Sequence, residues 1–207
     1  MSQQASAQVH IEHRDDTASK IGMWLFIFTE LLLFGGLFIV YSVYRYEYST
    51  AFHLAGQELS VTMGTINTIV LLISSMSIAM STTAIRRGEI KRTVALLGVT
   101  LVLALVFMVN KYFEWSGKIE HGLFPGSSVL QDFGQGDTLF FGLYFFMTGL
   151  HALHIIVGIV FIAVIMVKVM KEQINQDYNI QLENAGLYWH LVDLIWIFLF
   201  PLFYLIA

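Results

Sequence analysis

Cysteine is absent from the chain, which excludes disulfides, thiolate-ligated iron–sulfur or copper centres, covalent c-type haem and a cysteine nucleophile. Charge is scarce too. Only 13% of the 207 residues are Asp, Glu, Lys or Arg, against roughly 25% in an average soluble domain. With 57% hydrophobic residues and a mean hydropathy of +0.69, the composition excludes an ordinary water-soluble protein. Basic residues are the minority sign, 11 Lys and Arg against 15 Asp and Glu. No basic face is therefore available to neutralise a phosphate backbone, and nucleic acid is excluded as a partner. Two prolines and 16 glycines among so many apolar residues point to long helices packed closely in a bilayer.

What is present is a series of apolar runs. Residues 1–19 read as a mobile polar tail on the cytoplasmic side, with no apolar period and no signal-peptide pattern. Five runs follow, at about 21–44, 61–85, 94–115, 139–167 and 186–206, each long enough to cross the hydrocarbon layer as a helix. The expected fold is an all-α integral membrane bundle of five transmembrane helices, with residues 20–207 as one membrane domain. The short 86–93 connection makes the second and third helices an antiparallel hairpin. If the helices alternate, Arg45, Lys111 and Lys118 fall on one side, against Arg14, Lys20, Arg86, Arg87, Lys91, Arg92, Lys168 and Lys171 on the other. That side is expected to be cytoplasmic, which puts the N-terminus inside and the C-terminus outside. Trp24, Trp115 and Trp189 fall near helix ends, as interfacial belt residues often do, with simple packing as the alternative for any one of them.

The chemistry lies in ionisable groups embedded in these runs, since each is costly at mid-bilayer unless it faces protein and finds a partner. They are Glu30, Lys111, Glu114, His151, His154, His190 and Asp193. At 1.5 Å per residue, Glu30, His154 and Asp193 lie at comparable depth, roughly 15–21 Å from their cytoplasmic ends. Glu114 falls at the outer boundary and is expected to form an interfacial ion pair with Lys111, three residues back. His151 with His154, and His190 with Asp193, each project from one helix face. The sharp reading of such a cluster is a metal or haem site. The other is a hydrogen-bonded set that joins helices, and it is favoured because no Glu-x-x-His motif occurs within a span. Glu30 has no neighbouring cation in its own helix and serves either as a proton relay or as a hydrogen-bond donor. Asn67 is expected to bond between helices, and the stripe Ser74, Ser77, Ser81 to let another helix approach closely.

Four blocks carry a resemblance: GMWLFIFTELLLFGGLF with Glu30; INTIVLLISSMSIAM with Asn67; FFGLYFFMTGLHALHIIVGIVF with His151 and His154; and ENAGLYWHLVDLIWIFLFPLFYL with His190, Asp193 and Trp196. A weaker fifth is NKYFEW, containing Glu114. In this order they resemble subunit III of the haem–copper oxidases, the cytochrome c oxidase subunit 3 superfamily, in its five-helix bacterial form. Mitochondrial-type members carry two further helices, and this chain resembles them from the third onwards. The resemblance implies no catalytic residue, no cofactor and no metal on this chain. Haem and copper belong to a partner, the catalytic subunit I, within a complex that includes other oxidase subunits. It also implies bound phospholipid, support of proton uptake, and a place for the Glu30 carboxyl near the route proposed for dioxygen. The location implied is a bacterial inner membrane, as part of a proton-pumping respiratory complex fed by cytochrome c. Alternatives within the family are subunit III of a quinol oxidase and an accessory subunit of a nitric oxide reductase. A stand-alone membrane metal or haem protein is the alternative from another class.

Overall fold

The computed structural model describes residues 16–206, apart from the side chains of Gln131 and Asp132. It is helical throughout: α1 (Asp16–Glu47), α2 (Ser49–Gln57), α3 (Val61–Arg86), α4 (Ile90–Glu120), α5 (Ser128–Phe133), α6 (Gln135–Met170) and α7 (Ile180–Phe200), closed by a π-helical turn (Pro201–Leu205). Five of these, α1, α3, α4, α6 and α7 with its closing turn, are long and apolar enough to cross a membrane. They are longer than the apolar runs because polar flanks continue the helices past hydrocarbon thickness. Most of the expected tail lies outside the described residues, and its last part, Asp16–Ser19, is instead the first turn of α1.

Backbone chemistry sets where the helices stop. Gly88 follows α3 with φ +74°, a left-handed conformation that suits glycine. The Glu89 N–H then turns back onto the Ala84 carbonyl at 3.0 Å, so the α3–α4 hairpin is only three residues long. Gly122 (φ +73°) ends α4 in the same way, with the Leu123 N–H on the Lys118 carbonyl at 2.9 Å. Ser60 caps α3 by accepting the Met63 N–H, as a serine before a helix does. Pro201 has no N–H to continue the α-helical ladder. The chain answers with a wider turn in which the Ile206 N–H reaches the Pro201 carbonyl at 3.0 Å. That turn is tied to α1: the Tyr41 hydroxyl donates to the Leu202 carbonyl at 2.6 Å, and Arg45 donates to the Ile206 carbonyl.

The stretches between the first and second and between the third and fourth apolar runs hold the two short helices, α2 and α5. α2 lies against the start of α6, where Phe52 is fully buried between Tyr41 and Phe140. α7 is the axial helix, packed on α1, α3 and α6. Over half of its most apolar window is buried (56%), against 11% for α1, which leaves α1 as the most open helix of the bundle.

The serine stripe does what its small side chains allow. Ser74, Ser77 and Ser81 are buried; Ser77 donates across to the Leu96 carbonyl of α4 at 2.9 Å, and the Ser74 hydroxyl accepts the Trp189 indole N–H of α7 at 3.0 Å. Trp189 is therefore no belt residue: it is 0% exposed, whereas Trp24 stands 59% exposed at the surface. The difference is the serine, which gives the indole a buried acceptor. Trp189→Phe removes that bond and some volume and is expected to cost about 1–2 kcal/mol. Thermal unfolding in mild detergent measures it, and an unchanged midpoint would refute the account.

Candidate functional site

The intramembrane polar residues separate into four environments. The first joins α1 to α6. Glu30 Oε2 lies 3.1 Å from His154 Nε2, both side chains nearly buried. His154 Nδ1 lies 2.8 Å from the Leu150 carbonyl, and a carbonyl only accepts, so Nδ1 carries a proton. Either Glu30 donates an O–H to Nε2, or a protonated His154 donates to the carboxylate. In both cases one proton is shared between the two groups. The Phe34 ring stands edge-on to the imidazole at 5.5 Å, and the Tyr188 hydroxyl holds the His154 carbonyl at 2.9 Å.

The second joins α3 to α7. His190 Nδ1 lies 2.7 Å from the Ser75 hydroxyl. Asp193 stands one turn further on, buried, with its Oδ1 lacking a hydrogen-bond partner among the described residues. The comparable depths expected for Glu30, His154 and Asp193 thus bring only the first two together. Depth fixes a level in the membrane, and the face on which each side chain stands decides whom it meets.

The third lies in the bundle core. Asn110 donates to Asn67 Oδ1 across α4 and α3 at 2.9 Å, and the Trp196 indole N–H reaches the Thr68 hydroxyl at 3.0 Å. His151, 0% exposed, stacks on Trp196 with ring centroids 5.3 Å apart. Neither of its ring nitrogens has a hydrogen-bond partner among the described residues.

The fourth corrects an expectation. Lys111 and Glu114 do pair, at 3.1 Å, but inside the bundle, with side chains only 3% and 4% exposed. The pair is enclosed by partners from two other helical segments. Lys111 Nζ also donates to the Tyr144 hydroxyl at 3.1 Å and the Tyr204 hydroxyl at 3.0 Å, which uses all three of its donors. Both hydroxyls donate onward to Glu114 Oε1, at 2.9 and 2.5 Å. Trp196 and Tyr144 bring their rings within 5.3 and 5.0 Å of the ammonium, close enough for cation–π attraction. Sequence reasoning missed Tyr144, Tyr204, Asn110, Thr68 and Ser75. The only available signal was a hydroxyl or amide inside an apolar run, which a belt tyrosine or a self-capped serine gives equally.

Chemically, three histidines stand in three surroundings: one bonded to a carboxyl, one to a serine, one packed on an indole. Among the described residues no group of three or more His, Cys, Asp or Glu is placed to hold a metal ion. The hydrogen bonds that Glu30, His154, His190 and Asn67 make run from one helix to another.

A sequence profile of the family described as Cytochrome c oxidase subunit III matches residues 3–207. The chain belongs to the cytochrome c oxidase subunit III family. Relatives of this subunit III include cytochrome c oxidase subunit 3 of Thermostichus vulcanus, 28% identical over all of this chain and 96% of that protein. Another is the cytochrome bo(3) ubiquinol oxidase subunit 3 of Pseudomonas aeruginosa, 26% identical over 95% of this chain and 90% of that one. The heme-copper oxidase subunit I+III of Aeropyrum pernix is 29% identical over 95% of this chain, which spans only 24% of that longer protein. This subunit III is thus a multi-pass membrane protein and a component of an oxidoreductase complex with other oxidase subunits.

Proposed function

We propose that the chain is the non-catalytic subunit III of a respiratory haem–copper oxidase in a bacterial inner membrane. In this reading it stands beside the catalytic subunit I, which holds the haems and copper, takes electrons from cytochrome c, reduces dioxygen and pumps protons. The family match over residues 3–207 carries the reading. The fused subunit I+III relative supports subunit I as the neighbour, and the side to which most Lys and Arg fall supports a cytoplasmic N-terminus. Glu30, Asn67, His151, His154, His190, Asp193 and Trp196 then bind the helices together and tune the face turned to the catalytic subunit, with phospholipid filling the open sides. Relatives named as quinol oxidase subunits stand at similar identity, so an assay of the purified complex with reduced cytochrome c and with a quinol decides the donor.

The first test is purification of the tagged chain from its native membrane, with a haem spectrum and a mass-spectrometric inventory. A multi-haem oxidase should travel with it, and harsher detergent should strip this chain while the haem bands stay with the partner. A chain that emerges alone and carries iron or haem would overturn the reading. In the same preparation, Glu30→Ala breaks the α1–α6 bond at His154. It is expected to shorten the working life of the complex several-fold, the equivalent of about 1–2 kcal/mol, while the haem spectrum is kept. Loss of haem from a normally assembled complex would count against that role.

A further inference from the structure

A cavity of about 460 Å³ opens at the end of the bundle that carries the two short helices, between α2, the turn after α4, α5 and the start of α6. Apart from three residues its lining is apolar, with Ala55, Leu130 and Phe141 buried at the floor. None of its lining residues belongs to the four polar environments described above. An apolar bed of this size with a few polar groups around it is the usual form of a small-molecule site.

The three polar residues are Glu58, His121 and Asp137, and all of them present acceptors. Neither carboxylate has a cation within ion-pairing distance among the described residues. The nearby Lys118 ammonium donates to the Glu58 backbone carbonyl instead of to its carboxylate. His121 Nδ1 lies 2.6 Å from the Gly117 carbonyl, so the proton of the neutral imidazole sits on Nδ1 and Nε2 is left to accept. Among the described residues, no lining side chain then offers a donor in return.

That combination selects among occupants. Water would serve the acceptors but leave the apolar bed wet. A phospholipid carries a phosphate beside any amine in its headgroup, and that anion would stand against two carboxylates. A positively charged donor on an apolar body answers both halves of the cavity.

We propose that the cavity binds an organic cation, a primary ammonium group on a compact apolar body with no anion beside it. The carboxylates of Glu58 and Asp137 hold the ammonium as charge-assisted acceptors, and the body lies in the apolar bed that Leu130 and Phe141 help to form. The site goes beyond the subunit III reading and does not depend on it.

The probe is 4-fluorophenethylamine, followed by fluorine NMR with the full chain as it comes from its native membrane in uncharged detergent. Its signal should broaden saturably, while 2-(4-fluorophenyl)ethanol, the same shape without the charge, should bind about tenfold more weakly. This comparison uses the unaltered protein and so stands whether or not a variant folds. Glu58→Gln and Asp137→Asn should each weaken amine binding about tenfold, as the loss of a charge-assisted hydrogen bond does, and leave the alcohol unaffected. Glu47→Gln, at an exposed carboxylate outside the cavity, should change neither. No saturable signal, equal binding of amine and alcohol, or an equal loss in all three variants would overturn the proposal. Displacement of the probe by phosphatidylethanolamine but not by phosphatidylcholine would give the site to a lipid headgroup. Binding that appears only after the chain is stripped of its partners would give it to a neighbouring polypeptide. Either result overturns the assignment as well.

Discussion

Glu114→Ala is expected to destabilise the bundle by about 3–5 kcal/mol, the range seen when one partner of a buried ion pair is removed. The reason is what remains. Lys111 keeps its charge, is 3% exposed, and loses the only anion within reach of its ammonium among the described residues. Tyr144 and Tyr204 lose the carboxylate oxygen to which both donate, so three helical segments lose a common anchor at once. Because Tyr204 belongs to the closing π-helical turn, the end of α7 should loosen first and become open to proteolysis. Lys111→Met is expected to fail in the same way with the opposite sign of charge. The double variant Lys111→Met with Glu114→Ala should lose much less than the sum, since no unpaired charge is left. Thermal unfolding of the four proteins in mild detergent closes the cycle. Strict additivity of the two single effects would show that the pair is not coupled and would sink the account. Added salt should change little, because ions do not screen a pair enclosed by protein.

The same pair shows what could be read in the sequence and what could not. The five spans were legible because roughly 20 consecutive apolar residues have one stable form in a bilayer. The Lys111–Glu114 and Asn67 contacts were legible as pairing or bonding, since helical spacing and the cost of a bare polar group demand it. Their surroundings were not. Burial depends on which helix lies opposite, and it is the π-helical turn begun by Pro201 that holds Tyr204 against Lys111 and Glu114 of α4. Trp189 is a packing residue and not a belt residue for a related reason. Proximity to a helix end in sequence is not proximity to the membrane surface when the helix extends beyond the apolar run, and α7 begins at Ile180 rather than near residue 186. Glu30 and His154 met as their depths suggested, whereas Asp193, at the same level, stands on the side of α7 that faces Ser75. Depth along a helix is arithmetic; azimuth is decided by packing, and packing needs the whole bundle.

Gly158 is a place where α6 passes close against α7, and its replacement is the second large effect. A methyl group built there would stand 2.7 Å from the Trp189 ring and 3.2 Å from the Tyr188 ring, well inside van der Waals contact. Neither ring is free to move away. Trp189 is fully buried with its indole held by Ser74, and Tyr188 is fastened to the His154 carbonyl. Helix α6 must therefore lift from α7, and Gly158→Ala is expected to cost about 1–3 kcal/mol, with Gly158→Val at or beyond the upper end. His154 precedes Gly158 by one turn of the same helix, so the displacement reaches the Glu30 contact too, and in the assembled oxidase Gly158→Ala should shorten working life as Glu30→Ala does. Gly142 supplies the control. It lies on the same helix with nothing within 4 Å of an added methyl, so Gly142→Ala removes only backbone freedom and should change stability by no more than about 1 kcal/mol, in the stabilising direction. Equal unfolding midpoints for the two alanine variants would mean that α6 and α7 are not in contact at Gly158 in the folded protein.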